Sequence, residues 1–227
     1  MNCNYCNEYC VKRGFQNKIQ RYFCKSCAKF QQAKYQNKVI TAADASLITR
    51  LVSDSCSIRG MARIIGCAPS TIQRWVLKIA NDIHVPWYSE YGQEYQVDEM
   101  WTFIGENKPS NFVWITYAIN RKTKDIISYK VGSRSKNCLN TVTDCLLDLY
   151  PKKIYTDKWK AYPALIPNEV HSTVRYKTNL IERMNLTIRN RVKRLSRKSL
   201  SITRSKEMLE ASIKIFFQEI NWSFFDL

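Results

Sequence analysis

Long apolar runs are missing from this 227-residue chain: no uninterrupted stretch approaches the length of a membrane span. The opening MNCNYCNEYCVKRG also lacks the apolar core of a secretory signal, so the chain is expected to stay in the cytosol. Histidine is scarce, with only His84 and His171, and neither has an arginine three positions on. That argues against a tyrosine recombinase, which needs an Arg and His-x-x-Arg constellation, although the chain holds thirteen tyrosines. Internal repeats and low-complexity segments are absent. Acid is the last shortage, with 19 Asp and Glu against 36 Lys and Arg. Between Arg175 and Lys206 eleven cations share the chain with one carboxylate, Glu182. A lone acid among so many cations is favoured if it meets a metal, caps a helix or pairs with an arginine.

What is present points to folded, cationic domains. A hydrophobic content of 45% with 12% aromatics supports real cores, and the length suits one medium domain with small appendages. The net charge of +17 is spread along the chain, so a polyanion such as DNA or RNA is the natural partner. An anionic membrane surface is the competing reading, but no long helix carries the pure basic-amphipathic pattern.

The nine cysteines, read in a reducing compartment, point to metal or plain packing, not disulfides. Cys3-x-x-Cys6 and Cys24-x-x-Cys27 each offer two thiolates at bite distance, and two such turns close a tetrahedral Zn²⁺ site. Residues 1–40 are therefore expected to form a zinc ribbon, with Ile19 to Phe23 as a short strand and Cys10 a structural thiol. This segment holds eight Lys or Arg against one acid, Glu8. It reads equally as a structural knob or as a docking module for nucleic acid or a partner.

Residues 41–84 predict a helix-turn-helix domain. After a first helix from Thr41, a short helix ends at Gly66, suited to the left-handed position, and Pro69 opens the next. Ala62, Ile65, Ile72, Trp75 and Val76 would pack across the turn. Ser70, Thr71, Gln73 and Arg74 would then lie on the face that enters a major groove. Plain scaffolding is the alternative. Residues 85–93, with Pro86 and Gly92, read as a linker.

From residue 94 the period changes to two, with Tyr95, Val97, Glu99 and Trp101 on one side and Gln96, Asp98, Met100 and Thr102 on the other. Three strands with short turns, a helix over 136–149, and a strand at 154–156 ending on Asp157 come next. A brief helix at 159–165, a strand at 170–174, a helix opening near Asn179 and a last helix over 206–222 complete the chain. The last helix packs through Leu209, Ile213, Phe216, Phe217 and Ile220. This order predicts an α/β, ribonuclease-H-like domain over 94–227. In that layout the first and fourth strands are neighbours, so Asp98 and Asp157 lie side by side and Glu182 can reach them. Three carboxylates suit Mg²⁺ or Mn²⁺, and two such ions can drive an in-line phosphoryl displacement. Each acid also has a plainer reading. Glu99 competes with Asp98, Asp157 can cap a helix, and Glu182 can close a capping box with Asn179. On the last acid's helix, Ile181, Met184, Ile188, Val192 and Leu195 form the buried stripe, with Glu182, Asn185, Arg189 and Lys193 on an adjacent one.

QRYFCKSC with the twin CxxC, the helix-turn-helix, DEMW at 98–101, YTDKW around Asp157, and IERMNLTIRNRVKRLSRKSLSITRS at 181–205 carry a resemblance. Across nearly its whole length the chain resembles transposases of the "IS one" family of bacterial and archaeal insertion sequences. That resemblance implies a DDE triad of Asp98, Asp157 and Glu182, choosing Asp98 over Glu99, with 24 residues between the last two. Arg189, seven positions after Glu182, matches a basic residue common in DDE enzymes, and Lys193 and Arg194 would hold phosphate beside it. The resemblance further implies binding of the element's terminal inverted repeats, cleavage at its ends and transfer of the 3′-hydroxyl to target DNA. A homodimer or higher synaptic oligomer, on the nucleoid of a prokaryotic cytoplasm, is implied as well. A domesticated, catalytically inert DNA-binding regulator is the alternative, and a nuclease of the same fold that cannot join strands is another.

Overall fold

The computed structural model describes residues 1–16, 18–32, 39–174, 177–195 and 203–223, and it divides into two compact units, Met1–Ile40 and Thr41–Leu227. The sequence motif at 181–205 therefore lies partly outside the described residues.

The first unit is a three-stranded antiparallel sheet of β1 (Cys10–Gln16), β2 (Ile19–Cys24) and β3 (Phe30–Gln32). The strand expected around Ile19 is its centre. β1, with the sequence CVKRGFQ, was not anticipated because every residue after Val11 is exposed and gives no alternation to read. Cys3, Cys10 and Cys24 are the buried cluster, and Gln31 donates to the Cys10 sulfur at 3.3 Å.

The second unit starts with three helices, α1 (Ala42–Ser53), α2 (Ile58–Ile65) and α3 (Pro69–Asp82). Thr41 caps α1 in a capping box with Asp44, and Ser57 caps α2. Gly66 ends α2 at φ 77, where a side chain would be strained, and Pro69 opens α3. Ile65, Ile72 and Val76 are buried where the helices meet.

A five-stranded sheet comes next, from β4 (Glu94–Phe103), β5 (Phe112–Asn120), β6 (Ile126–Gly132), β7 (Lys153–Tyr155) and β8 (His171–Ser172). Its order is β6-β5-β4-β7-β8, with the first three strands antiparallel and β7 and β8 parallel to β4. This is the ribonuclease-H-like arrangement. Helix α4 (Lys136–Leu147) covers the face bearing Tyr95 and Val97. Helices α5 (Asn179–Arg191) and α6 (Lys206–Ser223) cover the other, where Met100 meets Ile181, Ile188, Ile213 and Phe217. The period-two split of β4 thus separates two cores. α1 and α3 pack on α6, so the three helices sit against the sheet domain. Trp87 fastens residues 85–93 to the same body: its backbone N–H donates to Ile127 O, and its ring N–H donates to Gln218 Oε1 at 2.6 Å. Among the described residues no helix is long and apolar enough to cross a membrane.

Candidate active site

Parallel pairing of β4 with β7 matches Gln96 to Tyr155, so Asp98 and Asp157 both fall two residues beyond the last paired position. One oxygen from each of Asp98, Glu99 and Asp157 lies within 4.8 Å of the others. Hard carboxylate oxygens at this spacing fit a divalent cation such as Mg²⁺.

Each carboxylate is held. Asp98 Oδ1 accepts from the Glu99 backbone N–H at 2.8 Å, and Oδ2 accepts from Asn185 Nδ2 at 2.6 Å. Asn185 Oδ1 in turn accepts from the Tyr117 hydroxyl at 2.9 Å, deep in the α5 face. Asp157 Oδ1 accepts from the Trp159 N–H at 2.8 Å, so it orders the loop after β7. Burial raises the Asp98 carboxyl above its ordinary range, and the negative charges of Asp157 and Glu182 add to this. A bound cation would offset both effects.

Glu182 stands apart from the close trio. It lies in the first turn of α5, where its Oε1 accepts from the Thr178 hydroxyl at 2.9 Å. The start of α5 is not secured by the capping box that Asn179 suggested. Gln96, buried on β4, does that work: its Oε1 accepts from Ile181 N–H at 2.7 Å and its Nε2 donates to Lys177 O at 2.6 Å. A strand residue thus holds the Glu182 helix on the Asp98 face. A polar residue at an inward strand position was the only hint in the sequence.

Glu99 is the residue that sequence reasoning set aside and the fold brings back. It projects from the opposite face of β4, yet its side chain, only 2% exposed, reaches the same corner. Tyr162 donates to Oε1 at 2.6 Å, and Arg134 lies 3.6 Å from Oε2. The Arg134 guanidinium stacks against Trp114 and Trp159, 4.5 Å from each ring centre. Burial pushes the Glu99 carboxyl up to about 7. Because the folded value lies above the unfolded one, this group adds stability at acid pH that disappears as pH rises through 7. Glu99→Gln keeps an acceptor for Tyr162 and removes the charge. Without divalent ions it is expected to stabilise the fold at pH 8 by on the order of 1–2 kcal/mol, seen as a higher Tm, and to change nothing near pH 4. An unaltered Tm at pH 8 would refute this account of Glu99.

The predicted phosphate ligands separate. Arg189 stays on the α5 stripe with Asn185, half-buried, and its charge reaches Tyr117. α5 stops at Arg191, however, and Lys193 and Arg194 turn away in a 3-10 segment, Lys193–Leu195. They line a cleft against α2 and α3 and do not continue the stripe. On α3, Ser70, Gln73 and Arg74 are exposed and Thr71 is half-buried.

In the first unit, Cys3, Cys6, Cys24 and Cys27 have sulfurs within 4.8 Å of one another, with Cys3–Cys27 at 3.5 Å and Cys6–Cys24 at 3.4 Å. A tetrahedral ion with bonds of about 2.3 Å sets its sulfurs roughly 3.8 Å apart, so the four could hold one soft metal. The backbone N–H of Cys27 holds the Cys24 thiol down, to about 6, which favours the thiolate a metal needs.

A family model described as IS1 transposase matches residues 94–223. Insertion element iso-IS1n protein InsB of Shigella dysenteriae is 33% identical over 124 residues, covering 55% of this chain and 93% of that protein. Insertion element IS1 4 protein InsB of Escherichia coli K12 is 30% identical over 113 residues, covering 50% of this chain and 66% of that one. The match falls on the segment that holds Asp98, Glu99, Asp157 and Glu182.

Proposed function

Since this chain belongs to the IS1 transposase family, we propose that it binds the terminal inverted repeats of its own insertion element, cuts there, and joins the 3′-hydroxyl to target DNA. The observation that carries the reading is the meeting of Asp98 and Asp157 oxygens within 4.8 Å, where Asp98 sits midway along β4 and Asp157 just past the end of the parallel β7.

In this reading Asp98, Asp157 and Glu182 would hold two Mg²⁺ or Mn²⁺. When bound, such ions activate the attacking oxygen and stabilise the leaving one in a phosphoryl displacement. The chain's own groups do the positioning. Asn185 orients Asp98, Trp159 orients Asp157, and Gln96 keeps the Glu182 helix in place. Arg189, next along α5, would steady the phosphate being cut, and Lys193 and Arg194 would hold backbone further out. Ser70, Thr71, Gln73 and Arg74 of α3 would read bases in the major groove. Zn²⁺ on the four cysteines would staple residues 1–40 as a ribbon, with 41–84 as the reader, 85–93 as the connection and 94–227 as the catalytic part. Two element ends cut in one event call for a homodimer or larger synapse in the prokaryotic cytoplasm, at the nucleoid.

The test is Asp157→Asn in a Mg²⁺-dependent assay on DNA carrying an element end. Cleavage and joining should both vanish, while binding of the repeat holds or tightens as a negative charge leaves the phosphate surface. Undiminished cleavage would remove Asp157 from the chemistry. Nicked ends without joined products would point instead to a nuclease.

A further inference from the structure

Away from the carboxylates, a cleft of about 480 Å³ opens in the second unit, where α1 to α3 meet the end of α5 and the start of α6. Four of its described lining residues are cations, Arg59, Lys193, Arg194 and Arg204, and none is Asp or Glu. We propose that this cleft is a binding site for consecutive phosphates of a DNA backbone, gripped jointly by the three-helix segment and the catalytic body. The proposal rests on the reading of the chain as a DNA-binding transposase and adds a place on it.

Several independent features favour phosphate. The cations come from three separate parts of the chain, so their convergence is a product of the fold and not of one basic run. Burial lowers the pKa of Arg194, and an anion in the cleft would compensate that lost hydration. Arginine's planar fork suits phosphate oxygens, and three of the four cations are arginines. Two helices begin at the rim. Ser57 caps α2 and Ser205 lies just before α6, so both positive dipole ends lie near the cleft.

The walls are also fastened together. Ser55, at φ 59 in the turn after α1, donates its hydroxyl to Arg191 O and accepts from Lys193 N–H at 2.9 Å. That pair of bonds fixes the Lys193–Arg194 turn against the helices. Gln73 of α3 lines the same cleft, so a strand whose bases face α3 has its phosphates within reach of this site. An open, cationic groove beside a helix of that kind fits a duplex backbone better than an isolated small anion.

The test uses the full chain and a labelled duplex of scrambled sequence, without divalent ions, over a range of NaCl concentrations. Arg59→Ala with Arg204→Ala should lower the slope of log K against log salt by about 2, since each phosphate contact contributes about 0.9. The corresponding double lysine variant should keep the wild-type slope, and Tm should not move. A control pair of exposed lysines elsewhere, Lys122→Ala with Lys152→Ala, should change the slope by less than half as much. An unchanged slope in the alanine pair, equal losses in the control pair, or loss in the lysine variant overturns the cleft. Absence of any duplex binding by the wild-type chain would instead overturn the parent reading.

Discussion

Because Cys3, Cys6, Cys24 and Cys27 could hold one metal, treatment with a chelator is expected to unfold the sheet of the first forty residues while residues beyond Thr41 keep their own transition. Among its described residues the unit has almost no apolar core. Its buried hydrophobic cluster is three cysteines, flanked by partly buried Met1, Tyr22 and Cys27, while Tyr9 and Phe15 are each 71% exposed. So small a unit cannot bury enough surface to offset chain entropy, and a structural Zn²⁺ contributes about 10–16 kcal/mol where it folds such a unit. Cys24→Ser should act like the chelator, because it removes the thiol most inclined to ionise. Amide spectra of the whole chain, recorded before and after chelation, would decide. Retention of the β1–β2 signals in the metal-free protein would mean that the sheet stands without an ion.

Phe217→Ala is the core change expected to cost most. The ring is fully buried on α6, with Tyr117 at 5.5 Å, Tyr129 at 5.4 Å and Trp87 at 6.3 Å between ring centres. Removing it leaves a cavity that rigid aromatic neighbours cannot close, a loss of about 3–5 kcal/mol. In a unit of this size the Tm should fall by roughly 6–20 °C. Activity should suffer below the melting point as well, since Tyr117 holds Asn185 and Asn185 holds Asp98. Leu186→Ala, at a residue 61% exposed on α5, serves as the contrast and should stay within about 0.5 kcal/mol. A Phe217→Ala chain that melts with the wild type would show that this cluster repacks freely.

Much of the architecture was legible because the signals are local. The apolar stripe of α6, the alternation in β4, the Gly66–Pro69 punctuation and the twin CxxC each lie within a few turns of chain. The exposed strand β1 gave no such pattern. Gln96 reads locally as an inward polar residue, because its partners at Lys177 and Ile181 lie more than eighty positions on. By helical spacing Lys193 falls on the α5 stripe, but the helix ends before it at Arg191.

By itself the sequence determined which groups are available: four thiols in paired turns, a few carboxylates among many cations, and two periods that divide helix from strand. Tertiary structure alone decided which of them meet. Register between β4 and β7 brought Glu99 as well as Asp98 to Asp157, and packing on α6 turned three helices into one wall of a cationic cleft. Both depend on pairings between distant segments, whose alignment is chosen by how the whole core fills and not by any neighbouring residue.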